Sequence, residues 1–210
     1  FGADTHIQFY DWRAGKLVLS APQARVMSFA FTADGRLASA GQDNTARIWK
    51  LDFDPKGPKA EKLLDLRGHT HWISMVSFSA DGNTIATAAQ DSTVRLWDVR
   101  SKPPGPFAEV KEPRAIAFTP DSAQLVVGED ERISRWRTAD GRSAGSSTPT
   151  SSVPRAITFD AEGNGAAVLW VATRDRRPEH LALQRYRRFE RQGDPVPLMD
   201  ASSQSVAEFD

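Results

Sequence analysis

The sequence predicts an all-β protein assembled from repeated four-stranded antiparallel units, and three observations point there. The stretch FAFTADGRLASAGQDNTARIWKLD (29–52) returns as VSFSADGNTIATAAQDSTVRLWDVR (76–100) and, more loosely, as IAFTPDSAQLVVGEDERISRWRTADG (116–141). A phenylalanine ahead of a turn recurs at Phe31, Phe78, Phe118, Phe159 and Phe209, in steps of 47, 40, 41 and 50. A second aromatic recurs at Tyr10, Trp49, Trp97 and Trp136, in steps of 39, 48 and 39. These steps scatter about the roughly 40–45 residues of a four-stranded propeller blade.

Within each unit the elements follow in order. Phe29, Val76, Ile116 and Ile157 precede the phenylalanine by two, with small Ala30, Ser77, Ala117 and Thr158 between. This period of two predicts a first strand packed on both faces, its small residues admitting the neighbouring blade. Asp34-Gly35 and Asp81-Gly82 then supply hairpin turns. Second strands are expected at Leu37–Ala40, Thr84–Ala88 and Gln124–Val127. Tight turns follow at Gln42-Asp43-Asn44, Gln90-Asp91-Ser92 and Glu129-Asp130-Glu131. Third strands run through Ala46–Trp49, Val94–Trp97 and Ile133–Trp136, and fourth strands are expected at Leu17–Ser20, Lys62–Leu66 and Phe107–Val110. The proline- and charge-bearing stretch 52–62 reads as an extended outer loop, and Lys102–Pro106 as a second outward excursion. Gly141–Val153 reads as a connector or a poorly formed outer strand. Past Gly163 only the apolar run 166–172 is clear, followed by a longer turn and a third strand ending at Tyr186 or Phe189.

Gly68-His69-Thr70, then ISMVSFSADG, TIATAAQD and TVRLWD (73–98), closely resemble a WD40 repeat, and the resemblance extends with falling fidelity over almost the whole chain. It implies a WD40-type β-propeller of about four complete four-stranded blades plus partial blades at both ends, a portion of a larger ring. That family commonly closes at seven blades; a five-bladed ring closed by residues 204–209 is the alternative. The divisions expected are a partial blade at 1–22, blades at about 23–66, 67–110, 111–152 and 153–200, and the start of another at 201–210.

The resemblance also implies a hydrogen-bonded network of His69, Thr87, Asp91 and Trp97 inside one blade. The preceding blade keeps Ser39, Asp43 and Trp49 without the Gly-His pair, and the following one keeps Asp130 and Trp136 with Val126 at the hydroxyl position. A buried histidine beside a carboxylate otherwise suggests a general base or a metal ligand. Here the network satisfies polar groups that would be costly unpaired. Family geometry further implies a rim at Arg25, Gln42, His71, Trp72, Gln90, Arg114, Glu129 and Arg155. Trp72 either anchors a partner there or folds over its own blade.

Lys+Arg and Asp+Glu both number 27, so no net field attracts nucleic acid or an acidic membrane. The arginines between 174 and 191 are diluted by Asp175, Glu179 and Glu190 and read as solvated loop and outer strand. The absence of cysteine excludes disulfides, thiolate metal sites and thiol nucleophiles. His6, His69, His71 and His180 lack metal-ligand spacing, and no nucleophile elbow or phosphate loop occurs. No apolar run reaches the roughly 18 residues of a membrane span. The expectation is a cytoplasmic scaffold without catalytic residues, metal or cofactor, binding a protein or peptide of acidic or mixed character, with the rest of its own chain or assembly closing the ring. The alternative is the sensor module of a larger bacterial signalling NTPase or kinase.

Overall fold

The computed structural model describes residues 6–11, 15–23, 25–54, 56–100, 106–130, 132–150, 153–159, 165–174, 177–187 and 190–200, the last three segments by their backbone course. The described residues hold strands and turns and no helix. They form two compact units, Phe1–Glu109 and Val110–Asp210.

In the first unit, β1 (His6–Asp11) and β2 (Lys16–Pro22) form a two-stranded antiparallel sheet. A four-stranded sheet follows in chain order: β3 (Val26–Phe31), β4 (Arg36–Gly41), β5 (Thr45–Asp52) and β6 (Lys59–Arg67). The next repeats it with β7 (Ile73–Phe78), β8 (Thr84–Ala89), β9 (Thr93–Asp98) and β10 (Pro106–Glu109). The second unit holds β11 (Ala115–Phe118), β12 (Gln124–Glu129), β13 (Arg132–Arg137) and β14 (Thr148–Pro149). Its other sheet is β15 (Pro154–Phe159), β16 (Gly165–Arg174), β17 (Arg177–Arg187) and β18 (Glu190–Asp200). Every pair is antiparallel and joins chain neighbours, the meander that short hairpin turns dictate.

The hairpin after each first strand is fixed by a hydroxyl. Thr32, Ser79 and Thr119 each accept from a backbone N–H, of Arg36 (3.0 Å), Thr84 (2.9 Å) and Gln124 (3.0 Å), and each donates to an aspartate two residues on. The positive φ these turns require falls on Gly35 and Gly82, and on Ser122 in the third. Asp81 collects hydrogen bonds from Ser79 and from both nitrogens of Asn83, which hold its pKa down at about 2.

The core lies between sheets. Ala38, Ala40, Ile48 and Leu66 pack with Ile73, Val76, Ile85 and Trp97, all under 9% exposed. Alanine on β4 and β8 brings the backbones close enough for the larger residues to fill the gap. Leu19 and Ala21 of β2 pack in the same manner on Leu37, Trp49 and Leu51. In the second unit Ala115, Val126, Ile133 and Ile157 form the corresponding cluster.

Several sequence expectations need correction. The outer loop expected over 52–62 is shorter than that, because β5 and β6 pair as far out as Asp52↔Lys59. Its charges sit on an edge strand, where Lys59, Glu61 and Lys62 discourage further pairing. The expected long turn after residue 172 is a continuing ladder that reaches Arg174↔Arg177, and β17 ends at Arg187. Between 141 and 153 the outer strand shrinks to the two residues of β14 and a bridge from Trp136 to Ser143. β3 is not packed on both faces: Met27, Phe29 and Phe31 are 53%, 62% and 54% exposed. Trp12 and 201–210 lie outside the described residues.

Sheet stacking predicts an asymmetric response among glycines. A Cβ at Gly128 of β12 would meet the Cβ of Pro154 at 2.8 Å and that of Ala115 at 3.3 Å, whereas one at Gly57 meets nothing within 4 Å. Gly128→Ala is expected to lower unfolding free energy by about 1–3 kcal/mol as overpacking separates two sheets. Denaturant titration should find Gly57→Ala within about 0.5 kcal/mol of the parent.

Candidate functional site

The histidine, threonine, aspartate and tryptophan of the second complete sheet form one line of hydrogen bonds with a single consistent direction. Trp97 Nε1–H donates to Thr87 Oγ1 at 2.8 Å, and Thr87 donates to His69 Nε2 at 2.7 Å. His69 Nδ1–H donates to Asp91 Oδ2 at 2.8 Å. Asp91 also accepts from the Thr70 backbone (2.9 Å), the Thr93 backbone (3.0 Å) and the Thr93 hydroxyl (2.7 Å). The indole can only donate, so Thr87 must pass its own proton onward, and the imidazole must be neutral with its proton on Nδ1. Gly68 clears the approach: a Cβ there would lie 3.3 Å from Trp97 Cη2.

The electrostatics agree with that assignment. Burial lowers the pKa of His69, more strongly than its bond to Asp91 raises it. For Asp91 burial acts upward, but the bonds from Thr93, Thr70 and His69 outweigh it and leave the carboxyl below its ordinary value. Their side chains are 0% and 7% exposed. Both histidine nitrogens are occupied, so no lone pair is left to abstract a substrate proton or bind a metal. Among the described residues no group of three His, Cys, Asp or Glu could hold a metal ion.

The preceding sheet solves the same problem with a residue that sequence reasoning missed. Trp49 Nε1–H donates to Ser39 Oγ at 2.8 Å, and Ser39 donates to Gln23 Oε1. Gln23 is 3% exposed, and its Nε2 donates to the Thr45 carbonyl at 3.4 Å. An amide thus takes the place of the imidazole. Gln23 lies eight residues before Phe31 and His69 nine before Phe78, and that one-residue difference hid the match. Asp43 is not in this line; it pairs with Arg47 at 2.5 Å.

The third sheet departs further, and two assignments change. With Val126 in place of a hydroxyl, the Trp136 indole donates to Ser134 Oγ at 3.2 Å, and Ser134 donates to Glu129. Arg132 Nε and Nη2 bond Glu129 at 3.0 and 2.5 Å. Glu129, expected at the rim, is 3% exposed and is the inward carboxylate; Asp130, expected in that role, is exposed. With the hydroxyl on strand three in place of strand two, the carboxylate that accepts its hydrogen bond comes from one residue earlier.

Backbone hydrogen bonds bring the other rim positions together in pairs. The Gln42 N–H donates to the Arg25 carbonyl at 3.2 Å and the Gln90 N–H to the Trp72 carbonyl at 2.9 Å, so each first-strand entrance touches the turn after its second strand. Arg25 Nη1 also donates to Gln42 Oε1 at 2.9 Å. Trp72 is 45% exposed and stands 5.3 Å from the His71 ring, with the two rings tilted by 47°. Arg114 pairs with Glu112, and Arg155 is exposed.

Antiparallel four-stranded blades, stacked through small residues and three of them locked by a third-strand indole, define a β-propeller repeat protein. Two stretches, residues 15–50 and 60–98, match the family described as WD domain, G-beta repeat. Over 54 residues the chain is 47% identical to Ribosome assembly protein 4 of Chaetomium thermophilum, a match covering 26% of this chain and 9% of that protein. Among solved structures it is similar to a chain of the crystal structure of the mitotic checkpoint complex, with a TM-score of 0.75 at 18% identity. That match covers 94% of this chain and 60% of the other.

Two outcomes test the network. Thr87→Val keeps the shape but strands both the Trp97 N–H and His69 Nε2; at about 1–3 kcal/mol for each buried group, chemical denaturation should show a loss of about 2–6 kcal/mol. The second concerns acid. The folded chain keeps His69 neutral below its ordinary 6.5 while the unfolded chain takes up a proton, so stability falls as pH drops from 6.5. The melting temperature of the parent should therefore fall more steeply between about pH 6.5 and 5 than that of His69→Gln. Equal slopes would remove His69 as the source.

Proposed function

We propose that this chain is a non-catalytic WD40 scaffold that binds protein or peptide ligands at the rim where the first strands begin. One contrast carries the reading: the residues that resemble catalytic machinery are buried and saturated, while Trp72 at the rim keeps nearly half its surface in water. An exposed aromatic beside a second ring, on a rigid strand entrance, is the kind of anchor that interfaces use. One similar protein is named a ribosome assembly protein and the other is a chain of a mitotic checkpoint complex, which supports an interaction role here.

With Glu129 turned inward, the exposed charged residues at the rim positions are Arg25 in one unit and Arg155 in the other. The ligand favoured is therefore an acidic peptide with an apolar residue for Trp72. A displayed peptide library selected on the parent chain tests this directly. Binders should be rich in Asp and Glu, and Trp72→Ala with Arg25→Ala should weaken the best of them by more than about tenfold at unchanged melting temperature. Binders indifferent to both changes would place the surface elsewhere.

A further inference from the structure

Two third strands carry an arginine two residues before their tryptophan, Arg47 on β5 and Arg95 on β9; in the following blade Ser134 takes that place. Arg47 is neutralised twice. It pairs with Asp43 at 2.5 Å and with Asp65, its cross-strand neighbour on β6, at 3.5 Å. Arg95 has neither partner. β10 puts Pro106 across from it, where β6 puts Asp65 across from Arg47. Asp91, the equivalent of Asp43, commits its carboxylate to His69, Thr70 and Thr93. Glu109 stands across from Thr93 and is exposed, and among the described residues no carboxylate forms an ion pair with Arg95.

The guanidinium is nonetheless partly buried. Arg95 Nε is enclosed without a hydrogen-bond partner, and the group fills the space that a side chain at position 68 would take: a Cβ on Gly68 would lie 3.0 Å from Nη1 and 3.4 Å from Cζ. Its uncompensated charge is felt by His69, whose protonated form it disfavours. A partly desolvated cation with five donors and no counter-ion is unfavourable by itself, and its planar fork matches a carboxylate two bonds at a time. Gly68 and Thr70 are exposed, and four residues past Gly68 the chain reaches Trp72. At about 3.3–3.6 Å per residue, the Cα atoms of Gly68 and Trp72 are at most about 14 Å apart.

We infer that Arg95 is a carboxylate-binding site and, for the acidic peptide proposed at the rim, a second contact. It pairs with an Asp or Glu side chain placed within about four residues of the apolar residue that meets Trp72. The course of the peptide rests on the rim reading; the affinity of the guanidinium for a carboxylate does not. Such a contact is confined to one blade, since Arg47 is saturated by its own aspartates and the third blade has serine in that place. It therefore fixes where along the rim an acidic ligand settles as well as its charge.

Glutarate, a free dicarboxylate, isolates the contact. Added to the 210-residue chain, it should shift the Arg95 Nε–H and Gly68 amide resonances saturably. Arg95→Gln should remove that shift at a melting temperature no lower than the parent's, and Trp72→Ala should leave it. A peptide selected on the parent chain then shows whether the ligand uses the contact. Arg95→Gln should weaken it by more than about tenfold, as should changing the peptide's acid to the amide, and the two changes together should cost no more than either alone. Arg95→Lys, which keeps the charge, should recover part of the affinity. Silence toward glutarate would overturn the proposal. So would a peptide acid that matters equally in the parent and in Arg95→Gln, and a loss of binding with Trp72→Ala would then leave the rim reading standing. Glutarate bound at Arg95 with no selectable peptide would sustain this site and overturn the rim reading instead.

Discussion

In three blades a tryptophan on the third strand carries its indole N–H into the packing between sheets, fully buried for Trp49 and Trp97 and partly buried for Trp136. Leaving that donor unpaired costs about 1–3 kcal/mol, a large part of a marginal stability budget. The acceptor must come from an element rigid enough to hold it, and the antiparallel register puts strand two within reach. In the blade of Trp97 the acceptor is Thr87, whose own proton then needs a destination, and His69 and Asp91 complete the line. In the blade of Trp49 the line is Ser39 and Gln23; in that of Trp136 it is Ser134 and Glu129. Three side-chain sets answer one constraint, which identifies the constraint and not any particular residue as the invariant of the fold.

The same constraint governs how blades stack. Trp97 fills a gap that exists because Ala38, Ala40 and Ala46 lie opposite, and Trp49 meets Leu19 and Ala21 in the same way. A large ring is affordable on one sheet only when the facing sheet is small, so the small residues of one repeat are complements of the aromatic of the next. Gly128 marks the limit of this exchange, since Pro154 already occupies the volume a methyl would need. Energy in such a chain is carried by neighbour contacts, and a blade face without a neighbour, as on β3, stays exposed however well its own strands pair.

Much of this was legible in the sequence because a repeat reports each position several times. The four-strand order and the Asp-Gly turns follow from aligned segments, and the His69 line from the resemblance to the WD40 repeat. What the sequence hid were substitutions that change register as well as identity. Gln23 replaces a histidine from one residue closer to its strand, and Glu129 replaces Asp130 from one residue earlier, so a column-by-column comparison passes over both. The charges of 59–62 hid the outer end of a strand, because on an edge the outward side chains answer to water and to avoidance of pairing rather than to a core. The exposure of β3 was illegible for another reason: its sequence, Val-Met-Ser-Phe-Ala-Phe, is that of a strand packed on both faces, and only the arrangement of sheets tells which face has a neighbour.

The distinction between structural and functional polar groups turns on saturation. His69 and Asp91 have the composition of a catalytic pair, yet every donor and acceptor they own is committed within the blade, and burial holds the imidazole neutral by disfavouring its charged form. A catalytic pair needs one valence left over for substrate. The rim has the opposite character: Trp72 retains an exposed ring and Arg25 an exposed guanidinium, each fixed at its base by a backbone hydrogen bond to the adjoining turn. A rigid base with an exposed tip costs little entropy when a ligand arrives. The proposed binding role therefore draws on the side chains that the blades leave exposed.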